Sequence, residues 1–294
     1  MATIFKQHYR LLLAQSAVVQ ADCMSRDAAV DSGWQSLLMF AGWKAHAGPD
    51  VGRIRSHGPN LAPLDHHGLT EQWALLRAVA IRYQQSLLLL LQNDSSVTPV
   101  QEFDPARHCE HKLFSTNVGL VNREKRVVPR HGVACLTINV MPQQAAALVD
   151  IMAAAMLDCA DIYGAKLIAL NEQGSRTESG ILYLPANYRV ARQVVAMLMT
   201  RLSPSVLIEH QPIGMHPMHK GIAYAEVSAA DKRMLGESYS SSRDAIVQQA
   251  MADHDPLPIA AKLQKALQAH GYQPYHPAFL LGSEVPEVNE RLPI

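Results

Sequence analysis

Residues 133–185 read VACLTINVMPQQAAALVDIMAAAMLDCADIYGAKLIALNEQGSRTESGILYLP, and the fold turns on how they are read. Val133 to Val140 carry no charge and are rich in β-branched and apolar side chains, the composition of a strand. Pro142 opens a helix of Ala, Leu, Met and Ile running to about Tyr163, with proline where the first turn does not use its N–H. Ala165 to Leu170 and Gly180 to Leu184 are short strands on either side of the polar loop NEQGSRTES. Together they predict a small, mostly antiparallel sheet with helices packed on it.

Downstream, Asn187 to Leu202 reads as an amphipathic helix. Val206 to Glu209 and Ile222 to Glu226 read as strands around the loop HQPIGMHPMHKG, with Glu226 as a carboxylate on the sheet surface. Two helices follow, over about Ser241 to Ala252 and Pro256 to His270, and the tail from Tyr272 is Pro-rich and extended. Upstream, Leu113 to Val121 is a further strand, joined to Val133 by the charged turn NREKR. A helix is predicted from Thr70, as its N-cap, to Gln92. Residues 48–67 form a loop dense in Gly, Pro and His, and residues 1–47 place Phe5, Tyr9, Leu12, Leu13 and Val19 at helical spacing. The texture changes near Lys112. The expected class is α+β, with a helical N-terminal region over 1–111 and the sheet-bearing part over 112–294.

The 26 Lys and Arg balance the 26 Asp and Glu in 294 residues, which excludes nucleic-acid binding through bulk positive charge. With 48% of residues hydrophobic, the chain can bury a core and is not an acidic disordered protein. Cys23, Cys109, Cys135 and Cys159 make no CxxC pair and read as thiols of a reducing compartment. The apolar stretch Trp73 to Leu91 is interrupted by Arg77, Arg82 and two glutamines, so it reads as a core helix and no membrane span is expected. The N-terminus lacks the features of a cleaved signal. Residence in the cytoplasm is expected, with export by a route that cleaves no signal as the alternative.

Fourteen histidines invite a metal reading, through His66-His67, through His108-Cys109-Glu110-His111, and through His210, His216 and His219. None has the spacing of a ligand motif, and no metal site is expected. GxGxxG, GxxxxGK[ST] and GxSxG are all absent, which removes the common nucleotide cradles and the nucleophile elbow. The segment ESYSSSR offers a helix N-terminus with Ser caps followed by Arg243, the ingredients of an anion site.

The order of blocks CLTINV, AKLIAL, SRTESGILYLP, HKGIAYAEV and ESYSSSR resembles that of the HopA-type family over about residues 112–282. That family takes its name from type III secreted effectors of plant pathogens. Its relatives include the lyase component of class V lanthipeptide and thioamitide biosynthesis, and its fold is similar to that of phosphothreonine lyases. The resemblance implies β-elimination of phosphate from a phosphorylated peptide or protein, supplied by a separate kinase, with no cofactor. A desolvated lysine can act as base, and arginines can hold the departing dianion. On that reading Lys166 is the base, with Lys220 as alternative base or third cation. Arg176 and Arg243 hold the phosphate with Ser242 and Tyr239, and Tyr183, Tyr239 or His219 donates a proton to the leaving oxygen.

The chain departs from the pattern at three places. The strand Val133 to Val140 lacks the Lys-x-His pair of phosphothreonine lyases, Glu178 stands where an aspartate is usual, and Ser240 replaces a glycine. The uncharged strand favours a second reading, an effector of the same fold that grips a host protein without catalysis. A third is an accessory module that binds a precursor peptide.

Overall fold

The computed structural model describes residues 31–47, 58–59, 61–92, 101–104, 114–123, 133–229, 231 and 239–286. The expectations for residues 1–30, for Cys109 and for the His108–His111 group lie outside them.

Six helices are described: α1 (Ser32–Ala47), α2 (His66–Tyr83), α3 (Ala145–Asp158), α4 (Tyr188–Met199), α5 (Tyr239–Ala252) and α6 (Ile259–Ala269). The strands are β1 (Leu87–Gln92), β2 (Gln101–Glu102), β3 (Asn117–Asn122), β4 (Val133–Ile138), β5 (Gly164–Leu167), β6 (Gly180–Pro185), β7 (His216–His219), β8 (Ile222–Val227), β9 (Tyr272–Gln273) and β10 (His276–Leu280). The first eight form one sheet in the order β2-β1-β3-β5-β6-β4-β8-β7, every neighbouring pair antiparallel, and β9 and β10 form a separate hairpin. The class is α+β.

Register assigns the faces, because residues directly opposite in a ladder project to the same side. Leu182 of β6 lies opposite Leu136 of β4 and Ala165 of β5, and Leu136 lies opposite Tyr224 of β8. This side packs on α3: a Cβ built on Gly180 would come within 2.9 Å of a Leu148 methyl and 3.1 Å of the Met152 sulfur. The Ala-rich stretch 145–156 lets α3 approach the sheet closely, and eight of its residues are buried. A second apolar cluster holds Trp34, Leu37 and Phe40 of α1, Ile246 and Val247 of α5, Leu263 and Leu267 of α6, and Tyr272. The sheet and the first cluster therefore share the molecule with a separate three-helix core.

Four local expectations are corrected. The helix predicted from Thr70 to Gln92 begins after Asp65, whose side chain accepts from Gly68 N at 2.8 Å, and stops at Tyr83. Leu87 to Gln92 are strand instead, paired residue by residue with Asn122 to Asn117. A run of five leucines has no periodicity to separate helix from strand, and here the ladder with β3 overrides leucine's helical preference. Leu87, Leu89 and Leu91 are buried while Leu88 and Leu90 are half-buried, the alternation of a strand. Both β1 and β2 thus extend the sheet to the N-terminal side of residue 112. Val206 to Glu209 is no strand: Pro204–Val206 is a 3-10 turn, and Leu207 adds one isolated bridge to Val140. Within the loop HQPIGMHPMHKG, by contrast, β7 pairs with β8, and the extended tail closes as the β9–β10 hairpin. Among the described residues no helix is long and apolar enough to cross a membrane.

Candidate functional site

The residues picked out from the sequence fall in three separate places. Lys166 and Tyr183 lie on the sheet face turned away from α3, half-buried, Lys166 opposite Ile181 and Tyr183 opposite Gly164 and Cys135. They are diagonal neighbours, close enough for long side chains to interact. On the same face of β4, Cys135 and Thr137 are buried, and Thr137 donates to Ala223 O at 3.3 Å and approaches the Met215 sulfur at 3.6 Å. Arg176 lies in the loop entering β6, its guanidinium paired with Glu172. That loop is knitted to the end of β4: Ser179 Oγ donates to Val140 O at 3.1 Å and accepts from Val140 N at 3.1 Å.

His219 and Lys220 occupy the β7–β8 turn, Lys220 exposed and His219 half-buried. β6, β4 and β8 stand between β7 and β5, so four strand spacings, roughly 19 Å, separate them from Lys166. One phosphate cannot be held by both.

Tyr239, Ser242 and Arg243 do come together, at the first turns of α5, but the cluster is closed to solvent. Arg243 is 0% exposed. Its guanidinium carbon lies 3.8 Å from the Tyr272 ring centre and 4.5 Å from that of Tyr239. It donates to Ser242 Oγ at 2.8 Å, to Glu226 O at 3.1 Å and to Pro277 O. Ser242 Oγ and Tyr272 OH both donate to Asp231 Oδ2, at 2.5 and 2.9 Å, while Asp231 Oδ1 faces His270 Nδ1 at 2.8 Å. The Tyr239 hydroxyl donates to Ile213 O at 3.0 Å, and burial holds its pKa above the usual phenol range.

The two arginines are moreover anchored at opposite ends of the central strands. Glu226, whose carbonyl receives Arg243, is aligned through Ala134 with Leu184, whereas the Arg176 loop joins the sheet at Gly180 and Ile138. Glu226 is not on an open surface either. It is 1% exposed, and its carboxylate accepts from Tyr224 OH at 2.8 Å, from Leu280 N at 2.8 Å and from Ser283 Oγ at 2.6 Å. The β9–β10 hairpin covers it. Burial, with Glu226 beside it, raises the Tyr224 pKa well above the phenol range.

Sequence reasoning missed the partly open end of this polar region. Asp31, 4% exposed in its side chain, caps α1 by accepting from Gly33 N at 2.7 Å and Trp34 N at 3.1 Å. Its second oxygen faces His276 Nδ1 at 2.9 Å and His216 Nδ1 at 3.7 Å. His216 Nε2 in turn lies 3.4 Å from the Tyr188 hydroxyl. Burial raises the Asp31 pKa, but the bonds from His216 and His276 outweigh it and hold the carboxyl well below the usual range. Asp31 thus holds the His276 imidazole at Nδ1 and lies within ion-pair reach of His216 Nδ1. Only His216 had a sequence signal, as one loop histidine among several. Among the described residues no group of three or more His, Cys, Asp or Glu is placed to hold a metal ion.

From Tyr188 through His216, Asp31 and His276, and by way of Pro277 O to Arg243, Ser242, Asp231 and His270, a band of polar groups runs between the two apolar clusters. It ties α1, α5 and the C-terminal hairpin to β7 and β8. Chemically it is a joint rather than an anion pocket, since its guanidinium is fully buried and its terminal nitrogens already donate to two backbone oxygens and Ser242 Oγ, leaving only the buried Nε without a partner.

Comparison with known proteins agrees with this architecture. The effector protein structures from Pseudomonas syringae pv. tomato strain DC3000 and pv. syringae strain 61 superpose with TM-scores of 0.73 and 0.72, at 23% and 21% identity. Each match covers 85% of this chain, and 98% and 97% of the respective structures, a likeness of fold. Protein HrmA of Pseudomonas syringae pv. syringae is 27% identical over 161 residues, or 54% of this chain and 41% of that protein. The chain therefore spans less than half the length of this curated relative. The family model of the HopA1 effector proteins matches residues 112–279, from just before β3 to β10 and so across the strands β3 to β8 and the covering hairpin. With more than half of its length matched in this way, the chain belongs to the HopA1 effector protein family.

Proposed function

We propose that this chain acts as an effector by binding a partner protein, without eliminating phosphate. The observation that carries this reading is the state of Arg243. A phosphate dianion needs cations with free N–H groups at one place. Arg243 is instead sealed between Tyr239 and Tyr272 and donates to two backbone carbonyls, and Arg176 is anchored at the far end of the strands. A fixed polar joint under a folded surface suits recognition of a partner. Type III export is the route that accompanies this reading.

The lyase reading keeps one observation in its favour, the adjacency of Lys166 and Tyr183 on one sheet face, where a base and an acid could face one substrate. One experiment separates the two. Phosphoserine and phosphothreonine peptides are incubated with the protein, beside Lys166→Ala and Arg243→Ala, and followed by mass spectrometry. In parallel the folded protein is used to recover a host partner, and the complex is rebuilt from purified components. The binding reading expects intact phosphopeptides and a stoichiometric complex. Appearance of a dehydro product that Lys166→Ala abolishes would overturn it in favour of the lyase. Arg243→Ala is expected to lower stability by about 3 kcal/mol, by leaving buried carbonyls without their donor.

A further inference from the structure

α1 lies upstream of the family-matched residues, yet it closes the second apolar cluster through Trp34, Leu37, Phe40 and Ala41. Polar contacts fasten its N-terminal end to the rest of the chain. Ser36 Oγ accepts from Gly214 N at 2.9 Å. Asp31 Oδ2 faces His276 Nδ1 of β10 at 2.9 Å and His216 Nδ1 of β7 at 3.7 Å. The carboxylate side chain is 4% exposed, while the two imidazoles are 33% and 20% exposed and can exchange protons with solvent.

The cluster therefore sets one fixed charge against two variable ones. Histidine is the side chain that ordinarily changes charge between pH 5 and 8, whereas Asp31 is ionised across that range. Around them, burial holds the Tyr239 phenol of α5 above the usual range, and its hydroxyl donates to Ile213 O. Arg243 of α5 is a permanent cation that donates to Pro277 O, beside His276. Tyr188 of α4 meets His216 Nε2 with its hydroxyl at 3.4 Å. We propose that this cluster is a proton-operated clasp, which fastens α1 when its imidazoles are charged and slackens as pH rises through the histidine range. A protonated ring makes its contact with Asp31 charge-assisted. Without that proton His276 keeps only a neutral hydrogen bond, and His216, at 3.7 Å, keeps none. The fastening is thus whole on the acid side of the histidine range and weakened on the alkaline side. Slackening it loosens the cover that α1 places over Ile246, Val247, Leu263 and Leu267.

A second titratable ring on α1 has to be separated from this effect. His46 is exposed, with Nδ1 2.8 Å from Gly42 O, and its protonation at the helix C-terminus would also favour α1. The test is amide hydrogen exchange of the full chain at about pH 5.5 and about pH 8, each rate divided by its intrinsic rate. The amides of β4 and β8 serve as the internal reference. On going to the higher pH, the wild type is expected to lose about five- to tenfold more protection in α1 than in those strands. Asp31→Asn, which keeps a capping oxygen without the charge, should show no such extra loss. His46→Gln should retain it. A wild-type α1 that follows the reference strands at both values overturns the proposal without calling on any variant. So does an extra loss that survives in Asp31→Asn or vanishes in His46→Gln, because it then belongs to the other end of the helix.

Discussion

Asp31 performs two tasks with its two oxygens: one caps α1, and the other receives histidines from β7 and β10. Because its folded pKa is depressed, its contribution to stability is whole above about pH 4, the unfolded value. That contribution is lost as pH falls below this value toward the folded one. Asn at position 31 keeps the capping oxygen but not the charge. Asp31→Asn is therefore expected to lower stability by about 1–2 kcal/mol at neutral pH and to flatten the loss of stability on acidification. Urea midpoints followed from about pH 6 to pH 3 measure both effects, and parallel acid limbs for the two proteins would assign the loss to other carboxylates. None of this was legible in the sequence. Asp31 and His276 are 245 positions apart, and no spacing rule connects them. Tyr239, Ser242 and Arg243 were legible as a group because one helix start holds them. Their burial was not, since it depends on Tyr272 and Pro277 arriving from the C-terminal hairpin.

At the scale of elements, β4, β6, β8 and the helices α3 to α6 could be read from pattern, because their apolar positions repeat clearly and proline or asparagine marks several starts. β1 could not, since its leucines suit either period. β7 was hidden in a loop because Pro217 and two histidines carry no strand signature, and it is the ladder with β8 that makes it a strand. Its turn rests on Gly221, at φ +64°, where a Cβ would lie 2.7 Å from Ile208 O and 2.9 Å from Asn139 O. Those neighbours are backbone atoms and cannot give way. At Gly180 a Cβ would meet only the ends of Leu148 and Met152. Gly221→Ala should therefore cost about 2–4 kcal/mol and Gly180→Ala about 1–2 kcal/mol, as read from thermal or urea unfolding. The reverse order would show that α3 is the less yielding neighbour.

The molecule as a whole has two apolar clusters joined by polar contacts, so its parts need not open together. α1 is fastened to the sheet side by Asp31 and by Ser36, whose Oγ accepts from Gly214 N at 2.9 Å. Removing the His276 ring deletes one charge-assisted bond of that fastening. Hydrogen exchange in His276→Ala should accelerate about tenfold or more in α1, with the amides of β4 and β8 protected as before. Uniform acceleration would mean that both clusters unfold as one unit.

The place of β4 at the middle of the sheet also bears on how the chain reaches this state. All six of its residues are buried, yet both neighbours come later, β6 beginning at Gly180 and β8 at Ile222. Whenever the polypeptide is made or threaded from its N-terminus, this sticky segment waits with both edges bare while almost ninety further residues emerge. A truncation that stops short of β8 should accordingly aggregate rather than fold, as read from the soluble fraction of the shortened chain.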